Sequence, residues 1–221
     1  MNDSSATAIP PRTIDVLSDV VCPWCYIGKR QLESALPAAA DRAHVRWHPF
    51  ELNPDLPREG IPRRQYVETK FGARGRADEV YARVRAAGEN VGLRLDFERI
   101  VRQPNTFDAH RLIAWAQFRS DATMADSLVE ALFRAFFVDG RDIGHRDELA
   151  DIAAASGFER LEARSMLDSD EAAADVMEMR RRVREMGVGG VPFFIFDGKV
   201  AVSGAQPPDV LQEAMAQARG A

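Results

Sequence analysis

The residues best suited to do chemistry in this sequence are two cysteines. Cys22 and Cys25 lie three positions apart, with Pro23 and Trp24 between them. The thiolate form of cysteine is the nucleophile of thiol–disulfide exchange. If a helix begins here, with Pro23 in its first turn, free backbone N–H groups and the helix dipole favour a thiolate at Cys22. Cys25 then lies one turn further along the same face and can attack a mixed disulfide formed at Cys22. The spacing therefore suits a nucleophile and a resolving thiol.

Two other interpretations of the pair stay open. The cysteines could be buried and structural, or they could bind zinc, which requires two further ligands. The nearest histidines, His44 and His48, lie four positions apart on a predicted strand and do not form a preorganised pair. We favour a redox-active pair and predict no metal site.

Composition limits the classes of function. The chain has 221 residues, 46% of them hydrophobic, which excludes a disordered chain, and its two cysteines exclude a disulfide-stabilised scaffold. No apolar run approaches the ~18 residues of a membrane span, and the net charge of -5 predicts no nucleic-acid partner. The first 12 residues lack the basic and apolar regions of a signal peptide, so we expect a cytoplasmic protein.

The elements around the pair predict a β-α-β unit. Residues 13–18 are rich in β-branched side chains and predict a strand. A helix is expected from Pro23 to about Pro37, and residues 44–52 predict a second strand. A C-x-x-C pair near a β-α-β unit is typical of a redox motif.

A second group of strands follows near the end of the chain. Residues 193–196 and 200–203 predict two strands joined by a tight turn at Asp197-Gly198, and a last helix runs from 207 to about 218. The sequence between the two groups is helical throughout. Its apolar spacing predicts helices over 63–71, 77–90, 106–119, 121–138, 146–156, 159–167 and 171–186.

These groups predict the domain organisation. Neither flanking group can bury the face of its own sheet, so the two must pair with each other. We predict a core made of residues 12–61 and 188–221, with residues 62–187 as a helical insertion.

A glycine-rich stretch ends at Val191-Pro192, just before the third strand. Proline is awkward there because it has no N–H to donate, and a cis Val191–Pro192 bond in a tight turn resolves this. The alternative is an ordinary helix end and loop with a trans bond. We favour the cis bond, which would let the main chain of Val191 pair with an extended substrate beside Cys22.

These features together resemble a known family. The matching stretches are residues 19–29, 50–54, 105–111 and 190–194. The sequence resembles the DsbA-like branch of the thioredoxin superfamily, and more closely its FrnE-type members. The resemblance implies an α/β, thioredoxin-like fold with a large all-helical insertion. It also implies a thiol–disulfide oxidoreductase, with Cys22 as nucleophile, Cys25 as resolving thiol and Pro192 as the cis proline. The substrate would be a disulfide or thiol of a protein or small molecule, with no tightly bound cofactor.

A neighbouring branch supplies the alternative function. Kappa-class glutathione transferases and 2-hydroxychromene-2-carboxylate isomerases are similar in architecture, but they usually have serine at the position of Cys22. Their glutathione contact is usually a Ser-Asp pair, whereas this chain has no acid after Ser203. Asn53 would match another of their glutathione contacts, or it is simply a turn residue before Pro54. The alternative is thus a glutathione-dependent isomerase or transferase acting on an aromatic or polyketide-like molecule, and glutathione also remains a candidate cosubstrate.

Other residues have two interpretations each. Asn105, Phe107 and His110 are candidates for a groove above Cys22, although we favour His110 as a hydrogen-bonded core residue. The arginines at 180–182 and 184 are interpreted as a solvated helix face rather than an anion site. A third hypothesis is a binding protein with structural cysteines. The natural substrate and the reduction potential are not predicted, and the chain is expected to be a monomer or a homodimer.

Overall fold

The computed structural model describes residues 12–36, 43–72 and 74–220. Its main sheet has the order β2-β1-β5-β6, formed by β1 (Thr13–Ser18), β2 (His44–Pro49), β5 (Phe193–Phe196) and β6 (Val200–Ser203). β1 pairs in parallel with β2 and antiparallel with β5, while β5 and β6 form a hairpin. The two groups of strands therefore share one sheet, as predicted.

The hairpin turn follows the chemistry of its residues. Asp197 and Gly198 have φ angles of 50° and 67°, which are the positive values that a two-residue hairpin turn requires. Aspartate tolerates this region better than most residues and glycine adopts it freely. The strands on either side consequently pair in the register that places Phe194 and Phe196 in the core.

The remaining elements are helices and one small ladder. The helices are α1 (Pro23–Ala35), α2 (Arg63–Phe71), α3 (Arg74–Glu89), α4 (Phe107–Arg119), α5 (Ala122–Phe137), α6 (Arg146–Ala155), α7 (Arg160–Asp168), α8 (Ala173–Glu185) and α9 (Pro208–Gly220). Every predicted helix is present, with ends that differ by up to three residues. No helix in the described part of the chain is both long and apolar enough to cross a membrane.

The ladder was not predicted. It joins β3 (Ile61–Pro62) to β4 (Arg102–Gln103), and two residues are too few to show a period-two pattern in the sequence. Gly60 precedes it with a φ of 69°, and a side chain there would approach Gln103 O to 2.5 Å. The predicted strand over 44–52 is also shorter than expected, because it ends at Pro49.

The inserted helices pack directly on the sheet. α4, α5 and α8 contact β2, and α3 and α5 contact α1. One continuous hydrophobic cluster joins Ile14 of β1 to the buried phenylalanines of α5, which are Phe133, Phe136 and Phe137. The fold class is confirmed as α/β with a helical insertion, while the exact boundaries at 61/62 and 187/188 stay a prediction.

Candidate active site

Cys22 lies where the chain leaves β1 and enters α1. Its dihedral angles (φ -94°, ψ 111°) are those of an N-cap residue, and Pro23 occupies the first turn. No side chain caps this helix end, and the first turn contains no acidic residue. The N–H groups of the first turn are therefore not used by a side-chain cap, and the dipole favours negative charge at the Cys22 sulfur.

The two cysteines differ in their surroundings. Neither is in a disulfide, and Cys22 is 4% exposed while Cys25 is 1% exposed. Burial raises the pKa of Cys25 well above its usual value, and its hydrogen bond with Cys22 raises it further. Trp24, between them, is 42% exposed. Cys25 is thus held as a buried thiol, while Cys22 lies at the helix end beside an exposed aromatic ring.

The loop before β5 faces Cys22. The Val191–Pro192 peptide bond is cis, and Cys22 Sγ donates a hydrogen bond to Val191 O at 3.7 Å. The loop is also tied to the end of β6, because Gly204 N donates to Pro192 O at 2.8 Å. The structure therefore brings together the residues from two distant parts of the chain that were predicted to meet.

Gly28 permits this approach, although it was not predicted as a site residue. A Cβ at Gly28 would lie 2.8 Å from Pro192 Cγ and 3.1 Å from Phe194 Cζ. Both distances are well below normal van der Waals contact. The sequence signal for this role was the position of Gly28 one turn beyond Cys25, which places it on the face of α1 that meets the loop.

The candidate groove residues lie beneath the surface. Asn105 donates to Leu56 O at 2.8 Å and accepts from Phe107 N at 3.0 Å, so it braces the start of α4. Phe107 is buried under the guanidinium of Arg58, which lies 4.3 Å from the ring centroid. Asn53 lies in a turn, with a buried Nδ2 that has no hydrogen-bond partner among the described residues. Within the part of the chain that the structure describes, none of these residues makes a hydrogen bond or ion pair with Cys22, so a groove formed by them stays a prediction.

A buried acid lies directly behind the cysteines. Asp19 is fully buried, and its Oδ2 accepts from Leu52 N at 2.8 Å. Its backbone oxygen accepts from Cys22 N at 2.9 Å. His110 is also buried, as we favoured, and its Nε2 lies 3.4 Å from Asp19 Oδ1 without hydrogen-bond geometry. Asp19 was not predicted as a site residue, although a charged residue among Val and Cys residues at a strand end was a visible signal.

A second buried acid corrects one prediction. The side chain of Glu51 is buried, which raises the pKa of its carboxyl group. Arg180 Nε lies 2.9 Å from Glu51 Oε2. The interpretation of a fully solvated arginine face is therefore wrong for Arg180, whereas Arg181 and Arg182 pair with exposed Glu178. Helical periodicity could not reveal this, because Glu51 is distant in sequence.

Helix α1 is fixed to the insertion by a buried cation. Lys29 is 3% exposed, and its Nζ lies 2.8 Å from Asp126 Oδ2 and also bonds Glu33. Trp47 Nε1 donates to the other oxygen of Asp126 at 3.1 Å. Burial alone would lower the pKa of Lys29, but the two carboxylates raise it. The helix with both cysteines is thereby held against α5.

Comparison with known proteins agrees with this geometry. A family model described as a DSBA-like thioredoxin domain matches residues 13–216. The chain is 32% identical to the probable DsbA oxidoreductase SCO1869 from Streptomyces coelicolor, over 95% of this chain and 90% of that one, with a TM-score of 0.83.

Two more distant structures share the fold. A 2-hydroxychromene-2-carboxylate isomerase is 17% identical over 93% of this chain and 95% of its own, with a TM-score of 0.70. The cytosolic disulfide reductase DsbM from Pseudomonas aeruginosa, in its structure with GSH, is 20% identical over 94% of this chain and 99% of its own, with a TM-score of 0.64. Because the family model extends over nearly the whole chain and encloses both cysteines and the facing loop, the chain belongs to the DsbA-like thioredoxin domain family.

Proposed function

We propose that this protein is a thiol–disulfide oxidoreductase in which Cys22 is the nucleophile and Cys25 the resolving thiol. The observation that carries the proposal is the difference between the two cysteines. Cys22 begins an uncapped helix, where a thiolate is favoured, and Cys25 is a fully buried thiol one turn further on. These are the properties that the first and second steps of exchange require.

The reaction has two balanced steps. The Cys22 thiolate attacks one sulfur of a substrate disulfide, a Cys22–substrate disulfide forms, and the other substrate sulfur leaves as a thiolate. Cys25 then loses its proton and attacks Cys22 Sγ, so that the Cys22–Cys25 disulfide forms and the remaining substrate sulfur leaves. The substrate gains two electrons and the cysteine pair loses them. The same steps run backwards when the oxidised pair meets a dithiol.

The loop before β5 is the proposed docking site for substrate backbone. Val191 O already accepts from Cys22 Sγ, so a carbonyl group is available beside the reacting sulfur. A side chain added at Gly189 or Gly190 would meet no atom within 4 Å, so space is open next to this loop. An extended peptide or a small peptide-like thiol could therefore lie along it.

Glutathione is the proposed thiol that completes the cycle, and the cytoplasm the proposed location. The support is the relative DsbM, which is described as a cytosolic disulfide reductase and was solved with GSH. The isomerase alternative has weaker support, because its structural relative is only 17% identical and this chain has a cysteine pair instead of the expected serine. Tight calorimetric binding of glutathione that survives Cys22→Ser would favour that alternative.

Two cysteine variants test the proposal in an insulin-reduction assay. Cys22→Ser is expected to abolish reduction, because the nucleophile is lost. Cys25→Ser is expected to retain the first attack and to accumulate a mixed disulfide at Cys22, visible as a mass increase that dithiothreitol removes. Unchanged activity in Cys22→Ser would contradict the proposed function.

A further inference from the structure

A second cleft lies apart from the cysteines, between the edge strand β2 and helices α4 and α8. Its volume is about 540 Å³, which falls within the roughly 300–1,000 Å³ range of small-molecule sites. None of its described lining residues belongs to α1 or to the loop before β5. An occupant of this cleft would therefore not touch the cysteine pair.

Aromatic side chains form the walls of the cleft. Trp47 of β2 and Trp115 of α4 are both buried, while Phe118, one turn beyond Trp115, is 92% exposed at the rim. Aromatic rings bind flat apolar ligands and attract cations to their negative faces. Arg119 already shows this attraction, since its Cζ lies 5.2 Å from the centre of the Trp115 ring. The walls therefore favour a flat ligand that carries positive charge.

The charged groups of the cleft are acidic. Glu171 and Asp175 line it, and no lysine or arginine does so in the part of the chain that the structure describes. Arg119 Nη2 lies 3.5 Å from Glu171 Oε1 and partly compensates that charge. Asp175, in the first turn of α8, makes no ion pair with any described residue. An ammonium group in the cleft would therefore find an unpaired carboxylate.

A buried donor in the cleft lacks an acceptor. Trp115 is 4% exposed, and its Nε1 has no hydrogen-bond partner among the described residues. Gln117, by contrast, bonds both N and O of Trp47, and His48 Nε2 already bonds Asp15. A buried donor without a partner is uncommon, because it loses the hydrogen bond that it makes to water in the unfolded chain. An oxygen atom of a ligand would supply the missing acceptor.

The edge of β2 beside the cleft is closed to another strand. β2 is an outer strand of the sheet, but the side-chain amide of Gln117 occupies the backbone N–H and C=O of Trp47, at 2.6 and 2.9 Å. Pro49, further along, has no N–H to donate. An added strand would need these groups. The cleft is therefore suited to a small molecule and not to an extended peptide.

We propose that this cleft binds a hydroxyaryl amine, which is a flat aromatic ring with an oxygen at one end and an ammonium group at the other. The ring packs on the aromatic walls, and its oxygen accepts a hydrogen bond from Trp115 Nε1. The ammonium group pairs with Asp175, and Glu171 adds negative charge beside it. The inference goes beyond the proposed function and involves no covalent step.

The test is a titration with tyramine, observed through the indole N–H signals in NMR spectra of isotope-labelled protein. The chain has three tryptophans, and Trp115→Phe identifies the signal of Trp115. Tyramine is expected to shift this signal in a saturable way and to leave the signal of exposed Trp24 in place. Phenethylamine has the same ring and ammonium group but no oxygen. It is expected to bind more weakly, and the Trp115 signal should lie further downfield with tyramine than with phenethylamine.

The role of charge is tested with a matched ligand and a matched variant. Tyrosol replaces the ammonium group of tyramine by a hydroxyl and is expected to bind about tenfold more weakly, because a charge-assisted hydrogen bond is lost. Asp175→Asn is expected to weaken tyramine binding by about fivefold or more. Asp209→Asn is the control, since it removes an acid from the first turn of α9, away from the cleft, and should bind tyramine like wild type.

The contrary outcomes are equally specific. If tyrosol binds as tightly as tyramine, or if Asp175→Asn binds tyramine as tightly as the Asp209→Asn control, the cationic class of ligand is wrong. If the Trp115 signal does not move, or tyramine shows no saturable binding, the assignment of the cleft is wrong. Insulin reduction requires no amine, so the proposed function stands or fails separately.

Discussion

Adding a single methyl group at Gly28 should reduce the activity of this protein much more than its stability. Gly28 lies on the face of α1 that meets the loop of Val191 and Pro192. A Cβ there would stand 2.8 Å from Pro192 Cγ, whereas carbon atoms in contact are about 3.5–4.0 Å apart. Gly28→Ala must therefore move the loop or the helix by roughly 0.7–1.2 Å, as the difference between these distances requires.

The expected loss of stability is small. Overpacking of this kind costs about 1–3 kcal/mol, while replacing glycine by alanine within a helix returns about 1 kcal/mol. The net change is about 0–2 kcal/mol of destabilisation, which for a chain of this length lowers the melting temperature by at most about 8 °C. The effect on activity should be larger, because a displacement of about 1 Å at a reacting group costs on the order of 10²-fold in rate.

The assay is insulin reduction, measured together with thermal unfolding. Gly28→Ala is expected to reduce turnover by at least tenfold while remaining folded at the assay temperature. Gly220→Ala adds the same methyl group at the end of α9, away from the loop, where it meets no atom within 4 Å, and is expected to act like wild type. Turnover of Gly28→Ala within twofold of the Gly220→Ala control would refute the argument that this contact positions the loop.

Three further predictions concern the buried charges. Lys29→Met leaves Asp126 without its cation, whereas Glu33 keeps its pair with Arg30. Because Asp126 is part-exposed, we expect a loss of about 2–3 kcal/mol in urea unfolding, against no measurable change for exposed Lys199→Met. Burial alone would raise the pKa of Asp15, but hydrogen bonds from His48 and Arg46 lower it to about 2. Stability from this group is full above the unfolded pKa near 4 and is lost as the pH falls towards 2, so Asp15→Asn should flatten that part of the acid unfolding curve. Burial raises the pKa of Glu51, which makes its ionised form destabilising. Glu51→Gln should therefore gain stability relative to wild type as the pH rises above the unfolded pKa, and a constant difference from pH 4 to 8 would contradict this.

The helices and strands were predictable because the sequence signals that specify them are local. The strand at Thr13–Ser18, the turn at Asp197-Gly198 and the start of α1 at Pro23 each depend on a few neighbouring residues. The pairing of β1 with β5 followed from a simple burial argument, since neither flanking group could cover its own sheet face. The β3–β4 ladder was missed because it depends on contacts between residues about 40 positions apart and is only two residues long.

The interior of the site was much harder to predict. The two cysteines are recognisable from their spacing alone, but the burial of Asp19 and Glu51 depends on packing that the sequence does not display. His110 showed the difficulty most clearly. Its helical position agreed with a core histidine, yet nothing in the sequence indicated that a carboxylate would lie 3.4 Å from its Nε2.

The helical insertion contributes charged side chains to the surroundings of the site as well as apolar packing. Asp126 of α5 binds Lys29, which fixes the helix that carries both cysteines. Arg180 of α8 pairs with buried Glu51. His110 of α4 lies 3.4 Å from buried Asp19, whose backbone oxygen accepts from Cys22 N. A helix start and a facing loop are sufficient to favour a thiolate at Cys22, because backbone groups provide the stabilisation. The position of the helix that carries both cysteines, however, depends on a salt bridge to α5. The insertion therefore helps to position the cysteine helix in addition to covering the sheet.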